Sequence, residues 1–172
     1  MNRLDMITIE RLMREGRTTW AELAQLLGLS GPAAADRVRR LEERGVIRGY
    51  AALVDPEAVG LGVATFVAVT LERPEHRAGF LDAVSEMPEM QECHHVAGED
   101  DYLLKVRCGT MRDLERLVSE GLKGLPGVAR TRTSVVLSTQ KETPVLPVRS
   151  ADGPERPREV PDGVPEAGRG GP

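Results

Sequence analysis

The sequence predicts an α+β chain in two parts, an N-terminal helix-turn-helix domain and a C-terminal ferredoxin-like βαββαβ domain. Three observations lead there. Within Thr19–Tyr50, a short segment with one apolar face, a glycine at 28 and a second segment rich in arginine follow one another at helix-turn-helix spacing. From Val63 onward the hydrophobic pattern alternates between extended and helical in the order strand, helix, strand, strand, helix, strand. Between the two, Asp55-Pro56, Gly60 and Gly62 interrupt both patterns. The expected boundaries are 1–50 for the DNA-binding domain, with its motif at about 21–40, 51–61 for a linker, 62–141 for the βαββαβ domain and 142–172 for a disordered Pro/Gly-rich tail.

Each element has a local reason. Residues 4–15 read as a first helix with Leu4, Ile9, Leu12 and Met13 toward a core and Gly16 as its stop. Thr19 and Glu22 stand at capping-box spacing before a second helix whose inner face is Ala21, Leu23, Ala24 and Leu27. Gly28 supplies the left-handed turn. Ser30 caps a third helix, Pro32 lies in its first turn, and Ala34, Val38 and Leu41 form its inner stripe at i, i+4, i+7. Gly45 ends it, and Val46–Tyr50 reads as extended. Residues 63–72 are β-branched and nearly continuous, so a buried strand is expected. Residues 74–87 read as a helix, 90–97 and 102–108 as strands joined by a Gly-Glu-Asp turn, 110–125 as a helix capped by Thr110, and 128–138 as a last strand. Met87, Met90 and Met111 read as core fillers.

Composition narrows the class. Apolar residues make up 40% of the chain but aromatics only 3%, so any core is built from Leu, Val and Ala. No apolar run reaches the roughly 18 residues of a membrane span, and the N-terminus lacks a signal-peptide layout. Cys93 and Cys108 do not make a disulfide framework. A soluble cytoplasmic protein is expected. The net charge of -4 argues against nucleic acid until it is divided: residues 1–50 carry +2, 51–140 carry -5 and 141–172 carry -1. The positive excess coincides with the helix-turn-helix. It is modest, so tight DNA binding requires several copies.

Arg37, Arg40 and Arg44 recur at i, i+3, i+7 and share a helix face, with Arg39 to one side. Guanidinium forks match guanine edges and phosphates; the alternative is a solvated face pairing with Asp36, Glu42 and Glu43. The leading end of this helix, Gly31-Pro32-Ala33-Ala34-Ala35, offers bases only apolar contact, as from Ala33 to a thymine methyl, and Asp36 could accept from a cytosine amino group. The candidate DNA contacts are Ser30, Ala33, Asp36, Arg37, Arg39, Arg40 and Arg44, with phosphate and shape contacts dominating.

Five segments in order (GRTTWAELAQLLGLS, RVRRLEERGVIRGY, the linker ending DPEAVG, QECHHVAGEDDYLLKV and LPGVARTRTSVVL) resemble the Lrp/AsnC, or feast/famine, transcriptional regulators over about residues 4–141. The resemblance implies a helix-turn-helix motif at Ala21–Arg40 and an αβ-sandwich effector domain, often called RAM. It implies dimers whose sheets pack together, often octamers, and an amino acid or related metabolite bound between effector domains. Carried over by motif, the effector loop is Gly98, Glu99, Asp100, Asp101 and Tyr102, where acidic side chains would meet an α-ammonium group, with Thr131, Thr133 and Ser134 offering hydroxyls to a carboxylate. An ordinary acidic hairpin turn is the alternative reading. Asp100 stands where family members usually carry an aromatic residue, implying a pocket that is more polar, suited to a basic ligand, or nonfunctional. Pro32 stands where a hydroxyl residue is common, and the tail has no family counterpart.

No catalytic, cofactor or metal site is expected. In Cys93-His94-His95 the strand period puts His94 opposite the other two, and no second ligand motif accompanies them. A siroheme-decarboxylase-like enzyme is the runner-up from another class, but CHHVAGEDDYLLKV lacks the aromatic cluster a macrocycle needs, and Trp20 lies in the DNA-binding domain. A metabolite-binding module with weak DNA binding is the third reading. The partners expected are double-stranded DNA, a small-molecule effector and further copies of the chain, with no membrane.

Overall fold

The structure, a computed structural model, describes residues 1–148, so from residue 149 onward the expected tail lies outside the described residues. The described chain divides into two compact units, Met1–Ala51 and Ala52–Glu142.

The first unit holds α1 (Arg3–Arg14), α2 (Trp20–Leu27) and α3 (Gly31–Glu43). Helix α1 starts one residue before the expected point because Asn2 and Asp5 form a reciprocal capping box. Thr19 and Glu22 form the same box on α2, and the Ser30 hydroxyl accepts from the Ala33 N–H to start α3. Gly28 adopts φ 66°, and the Leu29 N–H closes onto the Ala24 carbonyl at 2.9 Å, a Schellman ending that only a left-handed residue permits. Gly45 repeats the device at the end of α3, where the Val46 N–H reaches the Leu41 carbonyl at 2.9 Å. Leu12, Leu23, Ala24, Leu27, Ala34 and Val38 make the core, with Leu4, Ile7, Leu29 and Ile47 against it. Ala21 is exposed, not buried as expected, because Leu23, Ala24 and Leu27 alone fill the inner face of a helix only eight residues long. Val46–Tyr50 forms no strand; the Tyr50 hydroxyl ties it back by donating to Glu42 at 2.9 Å.

The second unit is a four-stranded antiparallel sheet in the order β2-β3-β1-β4, built from β1 (Val63–Leu71), β2 (Met90–His95), β3 (Tyr102–Cys108) and β4 (Val128–Val135). Two helices, α4 (Arg77–Ser85) and α5 (Met111–Arg116), complete the ferredoxin-like order. Helix α5 does not run on as α to 125; it widens into a π turn over Leu117–Leu122. Just beyond it, a Cβ at Gly124 would lie 2.3 Å from the Glu120 carbonyl oxygen, so the chain there accepts only glycine. The core lies on one sheet face, where Val67, Val69, Tyr102, Leu104 and Val106 meet Phe80, Val84, Leu114, Val118 and Leu122.

Among the described residues, no helix packs on the other face. Strand alternation assigns to it Phe66, Ala68 and Thr70 on β1, Leu103, Lys105 and Arg107 on β3, and Arg130, Arg132 and Ser134 on β4. On that face of β1, Phe66 is 39% exposed, whereas Ala68 is buried among its neighbours. Met87 and Met90 pack on the core as expected; Met111 does not, since it opens α5 and faces solvent.

Candidate DNA interface and effector loop

Helix α3 presents two unlike sides. Ala34, Val38 and Leu41 are fully buried, which fixes the rotation of the helix and turns Arg39, Arg40 and Arg44 outward. Asp36 pairs with Arg39 and, at 3.0 Å, with Arg40; Arg39 also approaches Glu43 at 3.8 Å. These are exposed pairs within one helix, worth about 0.3–0.5 kcal/mol each, and a phosphate can displace them. Arg44 has no ion-pair partner among the described residues. Asp36, expected as a base acceptor, is occupied by these two arginines. The Ser30 hydroxyl is engaged in its cap, and Ala33 lies half-buried beside it in the first turn.

Arg37 departs from expectation. It lines the same hollow of about 430 Å³ as Arg40 and Arg44, but its guanidinium is taken up by Asp5 and by Asn2 Oδ1 at 3.1 Å. The side chains of Arg37 and Asp5 are only 15% and 11% exposed. Burial alone would raise the Asp5 carboxyl; the Asn2 N–H and the Arg37 guanidinium outweigh it and hold the group below its usual value. Arg37 therefore joins α3 to the start of α1 and is not free to grip DNA. The Asn-x-x-Asp spacing at 2–5 was the available signal for the cap, but nothing local marked Arg37 as its partner 32 residues on.

The loop between β2 and β3 is held tightly. Gly98 adopts φ 148°, beyond easy reach of other residues. Asp101 donates its N–H to the Val69 carbonyl at 2.9 Å and accepts the Leu71 N–H on Oδ2 at 2.7 Å. Asp100 is buried; its carboxylate accepts from Thr70 Oγ1 at 3.0 Å, from Arg130 at 3.3 Å and from Arg132. Only Glu99 stays in solvent, 3.6 Å from Arg132. Both aspartates, expected to meet an α-ammonium group, are thus hydrogen-bonded within the unit. Tyr102 is also not a loop contact. It is 2% exposed and packs between Phe80 and His95, with ring centroids at 4.9 and 5.3 Å. Thr131 and Thr133 register against Val69 and Val67, whereas Ser134 registers against Phe66 on the opposite face, so the three hydroxyls do not share one site. Arg130 and Arg132 were overlooked, although their i, i+2 spacing on a strand placed both on one face.

His94 hydrogen-bonds Glu92 at 2.9 Å, and among the described residues no group of three or more His, Cys, Asp and Glu is placed to hold a metal ion. No helix among them is long and apolar enough to cross a membrane.

Residues 1–48 match a winged helix-turn-helix DNA-binding model, and residues 64–146 match the Lrp/AsnC ligand binding domain. The leucine-responsive regulatory protein of Klebsiella pneumoniae is 40% identical over 152 residues, spanning 87% of this chain and 93% of that protein. The chain belongs to the Lrp/AsnC family of transcriptional regulators. Solved structures agree with that placement. A Neisseria meningitidis transcriptional regulator in complex with L-methionine superposes with a TM-score of 0.82 at 33% identity, over 86% of this chain and 96% of that one. The feast or famine regulatory protein of Mycobacterium tuberculosis complexed with L-methionine gives 0.76 at 40% identity, over 81% and 93%. In this Lrp/AsnC regulator, then, α1 to α3 lie within the matched helix-turn-helix segment, and the sheet with α4 and α5 lies within the matched ligand binding domain.

Proposed function

We propose that this Lrp/AsnC regulator acts in the cytoplasm as a homodimer or a larger even assembly, without enzymatic activity, and that an amino acid sets its operator affinity or its assembly. The observation that carries the DNA half is the outward row Arg39, Arg40 and Arg44 opposite a fully buried stripe. The row grips phosphates, and Ala33 at the leading end supplies apolar contact to bases. The bare sheet face, with Phe66 half-exposed among Ala68 and Leu103, supports pairing with a second copy. The relatives crystallised with L-methionine support an amino-acid effector. The backbone of the Gly98–Asp101 loop and the Glu99 carboxylate are the groups open to it, with Thr131 or Ser134 contributing according to which sheet face it meets. Effector binding shifts DNA affinity only by its preference for one assembly over another.

Gel shifts with genomic fragments selected by this protein, with and without L-methionine and L-leucine, test both halves. Arg40→Ala with Arg44→Ala should weaken binding at least about tenfold and lower the salt slope by roughly 2, at about 1 for each lost phosphate contact. The melting temperature should not move. Undiminished binding would remove α3 from the interface, and DNA affinity indifferent to a broad amino-acid panel would remove the effector.

A further inference from the structure

At the far end of β3 lies a cavity of about 670 Å³ that the function proposed above does not use. Cys108, the last residue of β3, belongs to the core under the helices, so the cavity is on the helix side of the sheet, away from the face assigned above to a second copy. Cys108 is six residues along the strand from Tyr102, roughly 20 Å at about 3.3 Å per residue, so the cavity is also separate from the Gly98–Asp101 loop. Its walls are held by the backbone. The Leu61 N–H donates to the Pro56 carbonyl at 2.7 Å, which sets Leu61 on one side. On the other, the Lys123 N–H reaches five residues back to the Val118 carbonyl at 3.0 Å, and the widened turn carries Leu117, Glu120 and Gly121 into the lining. Single π turns of this kind recur at functional sites.

The charges in this cavity do not balance. Asp113 is fully engaged: it accepts the Thr110 N–H at 3.0 Å, the Thr110 hydroxyl at 2.6 Å and the Arg116 guanidinium at 3.0 Å. Glu89 and Glu120 line the same space and make no ion pair or side-chain hydrogen bond among the described residues. Three carboxylates against one guanidinium leave two negative charges uncompensated. Cys108 is 2% exposed, and its thiol lines the cavity without a hydrogen-bond partner among the described residues. Burial first, and then the Glu89 and Asp113 carboxylates, push that thiol up, so it stays neutral and adds no charge. Among the described residues no group of three or more His, Cys, Asp and Glu is placed to hold a metal ion, so the two free carboxylates are not gathered on one point. Two separate carboxylates with apolar Leu61 and Leu117 in the same lining are the complement of two cationic ends on an apolar stem.

We propose that this cavity binds an aliphatic diamine, whose two ammonium groups pair with Glu89 and Glu120 and whose methylene stem lies against Leu61 and Leu117 over the Cys108 thiol. Each ammonium brings three donors to a carboxylate that otherwise has none, and the stem covers apolar wall that otherwise meets water. An amino acid is a poor substitute, since its own carboxylate would face Glu89 or Glu120. The site stands or falls independently of the amino-acid effector reading.

Calorimetric titration of the full chain with 1,4-diaminobutane, butylamine and magnesium chloride, with leucine methyl NMR to locate the ligand, tests the site. The diamine should bind at least about tenfold more tightly than butylamine, because only the diamine satisfies both carboxylates. It should move the Leu61 and Leu117 methyl signals, and its affinity should fall as salt rises. Glu89→Gln and Glu120→Gln should each lower diamine affinity about tenfold and bring it to that of butylamine, whereas Glu10→Gln on α1 should leave it unchanged. Glu120 is exposed, so Glu120→Gln keeps the fold and decides the matter even if Glu89→Gln does not fold. Equal affinity for diamine and monoamine overturns the proposal, as does undiminished diamine binding in Glu120→Gln. Magnesium binding as tightly as the diamine, or methyl shifts that spare Leu61 and Leu117, also overturns it and leaves only diffuse attraction to an acidic surface.

Discussion

Helix α3 and the loop at 98–101 both carry charges at positions where family resemblance expects a ligand, yet the fold treats them in opposite ways. On α3 the buried stripe determines which side faces solvent, and Arg39 and Arg40 pair only with carboxylates on their own helix. In the loop, Asp100 and Asp101 bind groups on β1 and β4 some thirty residues away in sequence. An exposed pair within one helix reopens at little cost, so those arginines stay available. A buried carboxylate held by three donors is part of the framework, and removing it leaves its partners unpaired. Arg37 shows that the distinction is one of burial and not of element type: it lies on α3 but behaves like the loop.

The largest effect that would break this contrast is at Arg37. Arg37→Met leaves the Asp5 carboxylate buried without its cation and should lower unfolding free energy in urea by about 3 kcal/mol or more, while Arg40→Met should stay within about 0.5 kcal/mol. Equal losses would erase the difference between the inward and outward arginines. A smaller effect is due at Asp100. Asp100→Ala should cost about 1–3 kcal/mol, because Arg130 and Arg132 are more than half exposed and rehydrate when released. Glu99→Ala on the same loop should be silent in stability. An unchanged melting temperature in Asp100→Ala, with loss of response to amino acids, would return Asp100 to the ligand.

The smallest effect is a pH dependence. The Asp5 carboxyl is held below its ordinary value in the folded chain, so its contribution is complete above the unfolded value of about 4 and disappears as pH falls through the lower folded value. The stability gap between wild type and Arg37→Met should therefore narrow below about pH 4. A gap that stays constant from pH 7 to pH 3 in urea midpoints would mean that Arg37 acts through packing alone.

Much of the fold was legible because it rests on local rules. The capping boxes at Thr19–Glu22 and Thr110–Asp113, the glycine at 28 and the limits of β3 are functions of a few adjacent residues. Failures occurred where a local pattern has two solutions. The apolar run of β1 fits burial on one face or on both, and an amphipathic stretch from 110 to 125 fits an α-helix or one that widens into a π turn. The candidate sites were less legible. Arg40 and Arg44 followed from helical period, with Arg39 to one side, but Arg37, expected on the same face, and Asp100, Asp101 and Tyr102 were placed by partners that no local spacing announces.

By itself, then, the sequence determined the order of elements, the family and the buried stripe of α3, because capping, turn conformation and hydrophobic period act over fewer than ten residues. Only the tertiary structure decided which charges remain free. Whether Arg37 or Asp100 meets water or a counter-charge depends on residues 30 or more positions away, brought near by the register of the sheet and the packing of the helices. Burial then makes the pairing obligatory, since an unpaired charge out of water costs more than any local preference can offset.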